Sequence, residues 1–178
     1  QAGEYAVISK DDASLSIKSY YHHIQQVSRE TDLPQKLSEL ETQLIDNAIN
    51  YADNRTILIP LSGGYDSRYL LALLKEKNYA KIECYTYGRK DSYEALIAKN
   101  VCEKLNIKWH FIEYTDTLLQ TFFSETWNNY AELNHQYSSL PHEQDFFALQ
   151  YLKKNNLLPE DAVIMNGFCQ DIHAGSFM

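Results

Sequence analysis

Apolar residues along the chain form two kinds of pattern that alternate from residue 34 onward. Four short runs of aliphatic and aromatic residues lack regular polar alternation, which is typical of strands buried on both faces of a sheet. These predicted strands are 56–61, 81–87, 108–114 and 162–166. Between them the apolar residues recur at helical spacing. The predicted helices cover about 34–52, 67–77, 92–106, 116–131 and 142–155.

This alternation of strands and helices predicts an α/β fold with a parallel, doubly wound sheet. Ligands of such sheets bind beyond the carboxyl ends of the strands, at the point where the strand order reverses. We therefore expect a ligand site among the loops that follow the strands. These loops are 62–67, 88–92, 114–116 and 167–175.

The first 33 residues have a different pattern. Residues 4–21 contain two apolar stretches around the polar turn Lys10-Asp11-Asp12, which predicts a β-hairpin. Residues 22–33 are polar and are predicted to form a linker. Pro34 suits the first position of the helix that follows.

Charge and composition narrow the classes of partner. The 178 residues carry a net charge of −8, from 24 acidic and 16 basic residues, which disfavours binding to a nucleic-acid backbone. No apolar run reaches membrane-spanning length. The three cysteines are odd in number and widely spaced, which fits neither a disulfide framework nor a zinc site. We expect a cytoplasmic protein with a small-molecule substrate and no nucleic-acid or membrane partner, and a homodimer is open.

The stretch Ser62-Gly63-Gly64-Tyr65-Asp66-Ser67 joins a predicted buried strand to a predicted helix. Glycines allow a tight turn and a close backbone approach, and the start of a helix offers unpaired N–H groups and a partial positive charge. This combination predicts an anion site, most often for phosphate. Because the Asp66 carboxylate would repel a bare phosphate, its presence indicates a Mg²⁺ ion between the two.

The same residues could instead have a purely structural role without a bound anion. Asp66 or Ser67 would then only cap the helix, and the glycines would only turn the chain. Neither the Walker pattern nor the Gly-x-Gly-x-x-Gly pattern is present here. The complete stretch directly after a buried strand favours the anion site.

Residues 62–67 resemble the SGGxDS pyrophosphate loop of the PP-loop ATP pyrophosphatases, in particular the synthetase domain of the asparagine synthetase family. Three further segments resemble consecutive parts of that domain: 83–88 its second strand, 91–95 the acidic start of the next helix, and 104–114 its third strand. Residues 163–171 correspond to a strand that ends in Gly-Glu-Gly-Ala-Asp-Glu. The resemblance covers residues 55–171 and implies a PP-loop, HUP-type sheet.

The resemblance implies an ATP-dependent, AMP-forming ligase with ATP and Mg²⁺ as cofactors. Such enzymes adenylate a carboxylate-type oxygen, release pyrophosphate, and let an amine displace AMP. The resemblance gives Asp66 and Asp171 the catalytic and metal-binding roles. The residues that it implies at the nucleotide are Leu61, Ser62, Gly63, Gly64, Asp66, Ser67, Tyr87, Gly88 and Gly167.

The chain departs from the family around Asp171. Phe168 stands where the family has a Glu that handles protons, while Cys169 and Ile172 replace a Gly and a Glu. A Phe cannot act as a general base, so adenylation is better supported than asparagine formation, and the acceptor need not be aspartate. His173 is the candidate for a substituted acid–base group.

The resemblance also divides the chain. Residues 1–33 would be the tail of a preceding glutaminase-like domain with its linker, and 34–178 an ATP-binding synthetase-like domain that we expect to be truncated at its C-terminus. A glutaminase domain would make glutamine the nitrogen donor. Two alternatives stay open: another PP-loop enzyme, such as a tRNA sulfurtransferase, and a nucleotide-binding module without catalysis.

Several charged residues lie outside these assignments. Arg68 directly follows the loop and could reach a phosphate or lie in solvent. Glu143 and Asp145 begin a predicted helix, where negative charge is favourable, and this reading is preferred to substrate contact. His110, inside a predicted strand, is expected to be a half-buried structural residue.

Overall fold

The computed structural model describes residues 3–22, 32–120, 124–135 and 143–167. The chain divides into two compact units, Gln1–Leu40 and Glu41–Met178. The strands are β1 (Glu4–Ile8), β2 (Leu15–Ser19), β3 (Ile57–Pro60), β4 (Ile82–Gly88), β5 (Lys108–Glu113) and β6 (Val163–Ile164). The helices are α1 (Leu33–Ala52), α2 (Tyr65–Glu76), α3 (Tyr93–Leu105), α4 (Asp116–Leu119), α5 (Glu125–His135) and α6 (Glu143–Lys154). None of the described helices is both long and apolar enough to cross a membrane.

The predicted N-terminal hairpin is confirmed. Strands β1 and β2 pair antiparallel, from Glu4 opposite Ser19 to Ile8 opposite Leu15. In the turn, the backbone N–H of Ser14 donates to the Asp12 carboxylate at 3.1 Å, a local bond that stabilises short turns. The polar turn in the sequence therefore has a direct structural counterpart.

The second unit contains the predicted parallel sheet. Its strand order is β5-β4-β3-β6, and every neighbouring pair is parallel. The chain runs outward from β3 through β4 to β5 and then returns to the other side of β3. The strand order therefore reverses between β3 and β6, and the crevice expected for a ligand lies beyond the carboxyl ends of these two strands.

Both faces of the sheet are covered, as the apolar strands predicted. Alternate residues of β3 and β4 face opposite sides, because side chains in a strand alternate with a period of two. On one side the buried core consists mainly of residues from α1, α2, α3, β3 and β4: Ile45, Ala52, Ile57, Ile59, Leu61, Leu70, Leu71, Leu74, Ile82, Cys84, Ala98 and Cys102. On the other side α6 packs on the sheet, and the buried residues are Leu58, Tyr85, Ile112, Ala148 and Leu152.

Two predicted helices differ in detail from the structure. The predicted helix over 116–131 is present as α4 and α5. Ser124 precedes α5 as its N-cap residue. Its hydroxyl accepts from the backbone N–H of Trp127 at 3.3 Å, as the side chains of N-cap residues do. The second difference is at α2, which begins at Tyr65, two residues earlier than predicted. Asp66 and Ser67 therefore lie within its first turn.

Candidate active site

The loop between β3 and α2 is fixed to the sheet at its start. Leu61 is buried, and its backbone N–H donates to the carbonyl of Tyr85 on β4 at 2.8 Å. Its own carbonyl accepts from the hydroxyl of Thr86 at 2.7 Å, and this hydroxyl accepts from the indole N–H of Trp109 on β5 at 2.9 Å. The chain of bonds links three parallel strands at the point where the loop leaves the sheet.

Two serines brace the loop from inside. The backbone N–H of Ser62 donates to the hydroxyl of Ser67 at 3.0 Å, and the two hydroxyl oxygens are 3.1 Å apart. The Ser62 hydroxyl also accepts from the backbone N–H of Gly64 at 3.1 Å. Ser67 is buried, and these bonds together hold the loop in one conformation.

The first turn of α2 has no side-chain cap. Gly64 is the N-cap residue, with an extended backbone, and no side chain makes a capping hydrogen bond. The alternative in which Asp66 or Ser67 caps this helix is therefore wrong. The half-buried Asp66 carboxylate makes no hydrogen bond or ion pair with any described residue. The helix start thus keeps its N–H donors and partial positive charge for an anion.

Glycines 63 and 167 are required by close packing rather than by the turn. A Cβ on Gly63 would lie 3.0 Å from Cα of Glu94 in α3, and a Cβ on Gly167 would lie 2.9 Å from the carbonyl carbon of Asp66. Neither glycine has positive φ, and Gly64 has φ −70°. The alternative in which the loop glycines only turn the chain therefore does not hold for Gly63. Gly63 and Gly167 let α3 and the chain after β6 approach the loop.

The carboxyl end of β4 lies next to the β3–α2 loop, because β4 pairs with β3. Gly88 has φ +131°, a conformation that favours glycine, and its carbonyl accepts from the backbone N–H of Tyr114 at 2.9 Å. The rings of Tyr87 and Tyr114 are stacked, with centroids 5.0 Å apart. The Tyr114 hydroxyl in turn donates to the carbonyl of Gln144 in α6. Residues 87 and 88 are thus held by contacts from β5 and α6.

Asp145 lies in the first turn of α6, as predicted, but it is not exposed to solvent. It is 5% exposed and lies close to the tyrosines of β4, whereas Glu143 is exposed. Burial, followed by the negative charge of Asp145, raises the pKa of Tyr85 and the pKa of Tyr87. The expected negative charge at the helix start is therefore present, and the structure adds that the Asp145 side chain is buried.

The structure brings together most of the predicted nucleotide residues. Residues 61–67 form one loop, Gly167 contacts its helix start, and residues 87–88 end the adjacent strand. Asp171, Phe168, Cys169, Ile172 and His173 lie outside the described residues, so the pairing of Asp66 with Asp171 stays a prediction. His110 is half-buried and lies 3.3 Å from the Glu83 carboxylate, which agrees with the structural role expected for it.

Sequence reasoning missed Thr86 and Trp109 as parts of the site. Both lie in predicted strands, but nothing in the sequence indicates that their side chains bond to each other. A Thr in the mostly apolar β4 was the available signal, because a buried hydroxyl needs a partner. Only the strand register, which pairs β4 with β5, reveals that partner.

The donor set fits Mg²⁺ shared with a ligand. The described residues contain no group of three or more His, Cys, Asp or Glu side chains that could hold a metal ion by themselves. Mg²⁺ commonly binds to one or two carboxylates and to the phosphates of its substrate. The unpartnered Asp66 carboxylate beside an uncapped helix start is compatible with such shared binding.

The sequence matches the asparagine synthase family over residues 42–139, more than half of the chain. The chain belongs to the asparagine synthase family. The matched region includes the β3–α2 loop and the end of β4, and it ends before Gly167. The family relationship makes this chain a member of the ATP-utilising PP-loop proteins, and it confirms the resemblance inferred from residues 62–67.

The fold of this asparagine synthase family member is similar to that of a solved structure. The NH3-dependent NAD synthetase from Campylobacter jejuni subsp. jejuni NCTC 11168, in complex with the nitrate ion, shares its fold, with a TM-score of 0.51 and 16% identity. The match covers 81% of this chain and 60% of that chain, so this chain spans less than two thirds of the synthetase's length. A predicted subunit of tRNA methyltransferase from Methanocaldococcus jannaschii DSM has a TM-score of 0.38 and 15% identity, covering 65% of this chain and 54% of its own. No curated protein sequence matches the chain.

Proposed function

We propose that the chain binds ATP with Mg²⁺ at the β3–α2 loop and adenylates a carboxylate-type substrate, as part of an AMP-forming carbon–nitrogen ligase. A carboxylate oxygen of the substrate attacks the α-phosphorus of ATP. The bond from this phosphorus to the bridging oxygen breaks, and pyrophosphate leaves with the electron pair. An amine then attacks the acyl carbon and AMP departs.

The observation that carries the proposal is the uncapped, braced start of α2 beside an unpartnered carboxylate. A pyrophosphate leaving group gains charge as the bond breaks, and preorganised N–H donors stabilise that charge without reorganisation. The serine bonds within the loop supply this preorganisation, since the backbone N–H of Ser62 donates to the Ser67 hydroxyl at 3.0 Å and the backbone N–H of Gly64 donates to the Ser62 hydroxyl at 3.1 Å. The negative charge of the leaving group matches the positive end of the helix.

In this proposal Asp66 holds Mg²⁺, and Asp171 is its predicted second ligand. Mg²⁺, when bound, neutralises charge on the phosphate oxygens. The end of β4, with Tyr87 and Gly88, and Leu61 contact the adenosine. Gly167 keeps its chain segment close to the α2 start.

Three further parts of the proposal concern the whole protein. Residues 1–33 would belong to the tail of a preceding glutaminase-like domain and its linker, and residues 34–178 to the synthetase-like domain. Glutamine would be the nitrogen source, and the acceptor would be a small molecule other than, or including, aspartate. A homodimer in the cytoplasm is the proposed state of the protein.

The test is release of pyrophosphate from ATP and Mg²⁺ in the presence of candidate carboxylates, measured with the full-length protein. Asp66→Asn should abolish release while lowering the free energy of unfolding by no more than about 1 kcal/mol, the contribution of a negative charge in a first helical turn, because the carboxylate has no partner among the described residues. Asp53→Asn is the matched control, since Asp53 is exposed and precedes the amino end of β3, whereas the loop follows the carboxyl end of this strand. Equal pyrophosphate release by wild type and Asp66→Asn would refute the role of Asp66. Tight ATP binding without pyrophosphate release for any acceptor would favour a binding module instead.

A further inference from the structure

Arg68, the fourth residue of α2, is held in place beside the loop. Its Nε donates to the carbonyl of Gly64 at 2.9 Å. Its guanidinium carbon lies 4.7 Å from the centroid of the Tyr65 ring, within the range of a cation–π contact. The two terminal amino groups of the guanidinium have no partner among the described residues. The side chain is therefore fixed, while most of its hydrogen-bond donors remain free.

Arg55 shows the same arrangement at a different place. Its Nε donates to the carbonyl of Ala52 at 2.8 Å, a terminal amino group donates to the carbonyl of Tyr51, and its guanidinium carbon lies 5.2 Å from the centroid of the Tyr51 ring. Arg55 follows the C-terminus of α1. Unlike Arg68, it uses a terminal amino group as well as Nε to bond the backbone.

The helix dipole distinguishes these two arginines. A cation at a helix C-terminus is favourable, because it faces the negative end of the dipole and bonds to free carbonyls. This accounts for the position of Arg55 at the end of α1. A cation in the first turn faces the positive end, which is unfavourable, so helix stability does not account for Arg68. An anion bound at the start of α2 would reverse the sign of the interaction.

We infer that Arg68 binds the terminal phosphates of the nucleotide and the pyrophosphate that is released from it. This inference rests on the proposed function of the β3–α2 loop. The planar guanidinium can donate two parallel N–H bonds to phosphate oxygens. Tyr65 and the Gly64 carbonyl fix the side chain beforehand, which lowers the conformational entropy lost on binding. Arg68 thus supplies the positive side chain that the loop otherwise lacks.

The experiment is equilibrium binding of two probes, magnesium pyrophosphate and AMP, to the full chain. Arg68→Ala should weaken pyrophosphate binding by at least about tenfold, the effect of losing a charge-assisted hydrogen bond, and leave AMP binding unchanged. Arg68→Lys keeps the charge without the planar fork and should lie between wild type and alanine. Arg55→Ala is the matched control and should leave both affinities unchanged. Tyr65→Ala should weaken pyrophosphate binding less than Arg68→Ala does, because the guanidinium remains.

The outcomes separate the inference from the proposed function. Pyrophosphate binding that is the same in wild type and Arg68→Ala would overturn the inference and leave the proposed function standing. Equal weakening of both probes would also overturn it, because that pattern indicates a general disturbance of the loop. Failure of the wild type to bind either pyrophosphate or ATP would overturn the proposed function and this inference together.

Discussion

The backbone of Gly167 lies against the peptide group that follows Asp66. A Cβ on Gly167 would be 2.9 Å from the carbonyl carbon of Asp66 and 2.9 Å from the backbone nitrogen of Ser67. These are backbone atoms of the helix start, so they cannot move aside as a flexible side chain would. The chain after β6 and the first turn of α2 therefore occupy fixed positions relative to each other.

Gly167→Ala should lower the free energy of unfolding by about 1–3 kcal/mol, the usual effect of overpacking a tight site. It should also weaken ATP binding, because relief of the contact displaces the Asp66–Ser67 peptide. The measurements are urea unfolding and nucleotide titration. Asn166→Ala, at the exposed neighbouring position, is the control. Unchanged stability and affinity in Gly167→Ala would show that the close approach is not maintained in solution.

Gly63→Ala and Gly64→Ala should differ in effect although the residues are adjacent. A Cβ on Gly63 meets Cα of Glu94 at 3.0 Å, whereas one on Gly64 meets only the Ser62 hydroxyl oxygen at 3.2 Å. We expect about 1–3 kcal/mol of destabilisation for Gly63→Ala and less for Gly64→Ala, measured by urea unfolding.

Glu94→Ala in the Gly63→Ala background supplies the control for this pair. It should recover part of the lost stability, because it removes the contact with Cγ of Glu94 and leaves the contact with Cα. Equal destabilisation by both glycine substitutions would contradict the packing argument.

Thr86→Val should destabilise the junction of the sheet with the loop. The Thr86 hydroxyl donates to Leu61 at 2.7 Å and accepts from Trp109 at 2.9 Å, so valine leaves one carbonyl and one indole N–H unpaired. Each unpaired buried group costs about 1–3 kcal/mol. Thr86→Ser keeps the hydroxyl and is the matched variant. If valine and serine give the same unfolding free energy, the bond network has no energetic role.

The stability of the protein should fall as pH rises above about 10, the ordinary pKa of tyrosine. Burial, and then the charge of Asp145, raises the pKa of Tyr85. The folded state therefore holds this proton at a pH where the unfolded state releases it. The stabilising effect is present below about pH 10 and is lost above it, by up to about 1.4 kcal/mol per pH unit for one group.

Tyr85→Phe removes this group and should flatten the pH dependence. Urea midpoints measured from about pH 9 to about pH 11 would show it. Tyr87 and Tyr114 have pKa values raised in the same direction, so a smaller slope should remain. An identical slope in wild type and Tyr85→Phe would mean that Tyr85 ionises alike in the folded and unfolded states.

The sequence predicted the elements of the fold well, for a physical reason that holds locally. A strand buried on both faces is mostly apolar, so β3, and β4 despite Glu83 and Thr86, could be recognised without tertiary information. The helix over 116–131 was the weaker case. Helical spacing continues across Ser124, and the hydroxyl bond that begins a new helix there depends on local geometry that the pattern does not show.

The sequence also predicted the local part of the site better than the contacts of single side chains. Residues 62–67 are contiguous, so their order between a strand and a helix was enough to predict an anion-binding loop. Asp145 was correctly expected at a helix start, but its burial and the contacts of Arg68 could not be predicted, because a first helical turn accepts both exposed and packed side chains. The structure shows that Asp145 is buried near tyrosines. It also shows that Arg68 contacts Gly64 and Tyr65.

By itself, the sequence determined the parallel α/β class, the loop that follows β3 and the family to which the chain belongs, because these depend on short-range patterns of apolar residues and glycines. Only the tertiary structure decided why Gly63 and Gly167 must be glycines, and that Thr86 and Trp109 support the loop. Such requirements arise between segments that are distant in the chain and meet through strand order and register. The loop motif is local in sequence, but its position and packing depend on the reversal of strand order between β3 and β6.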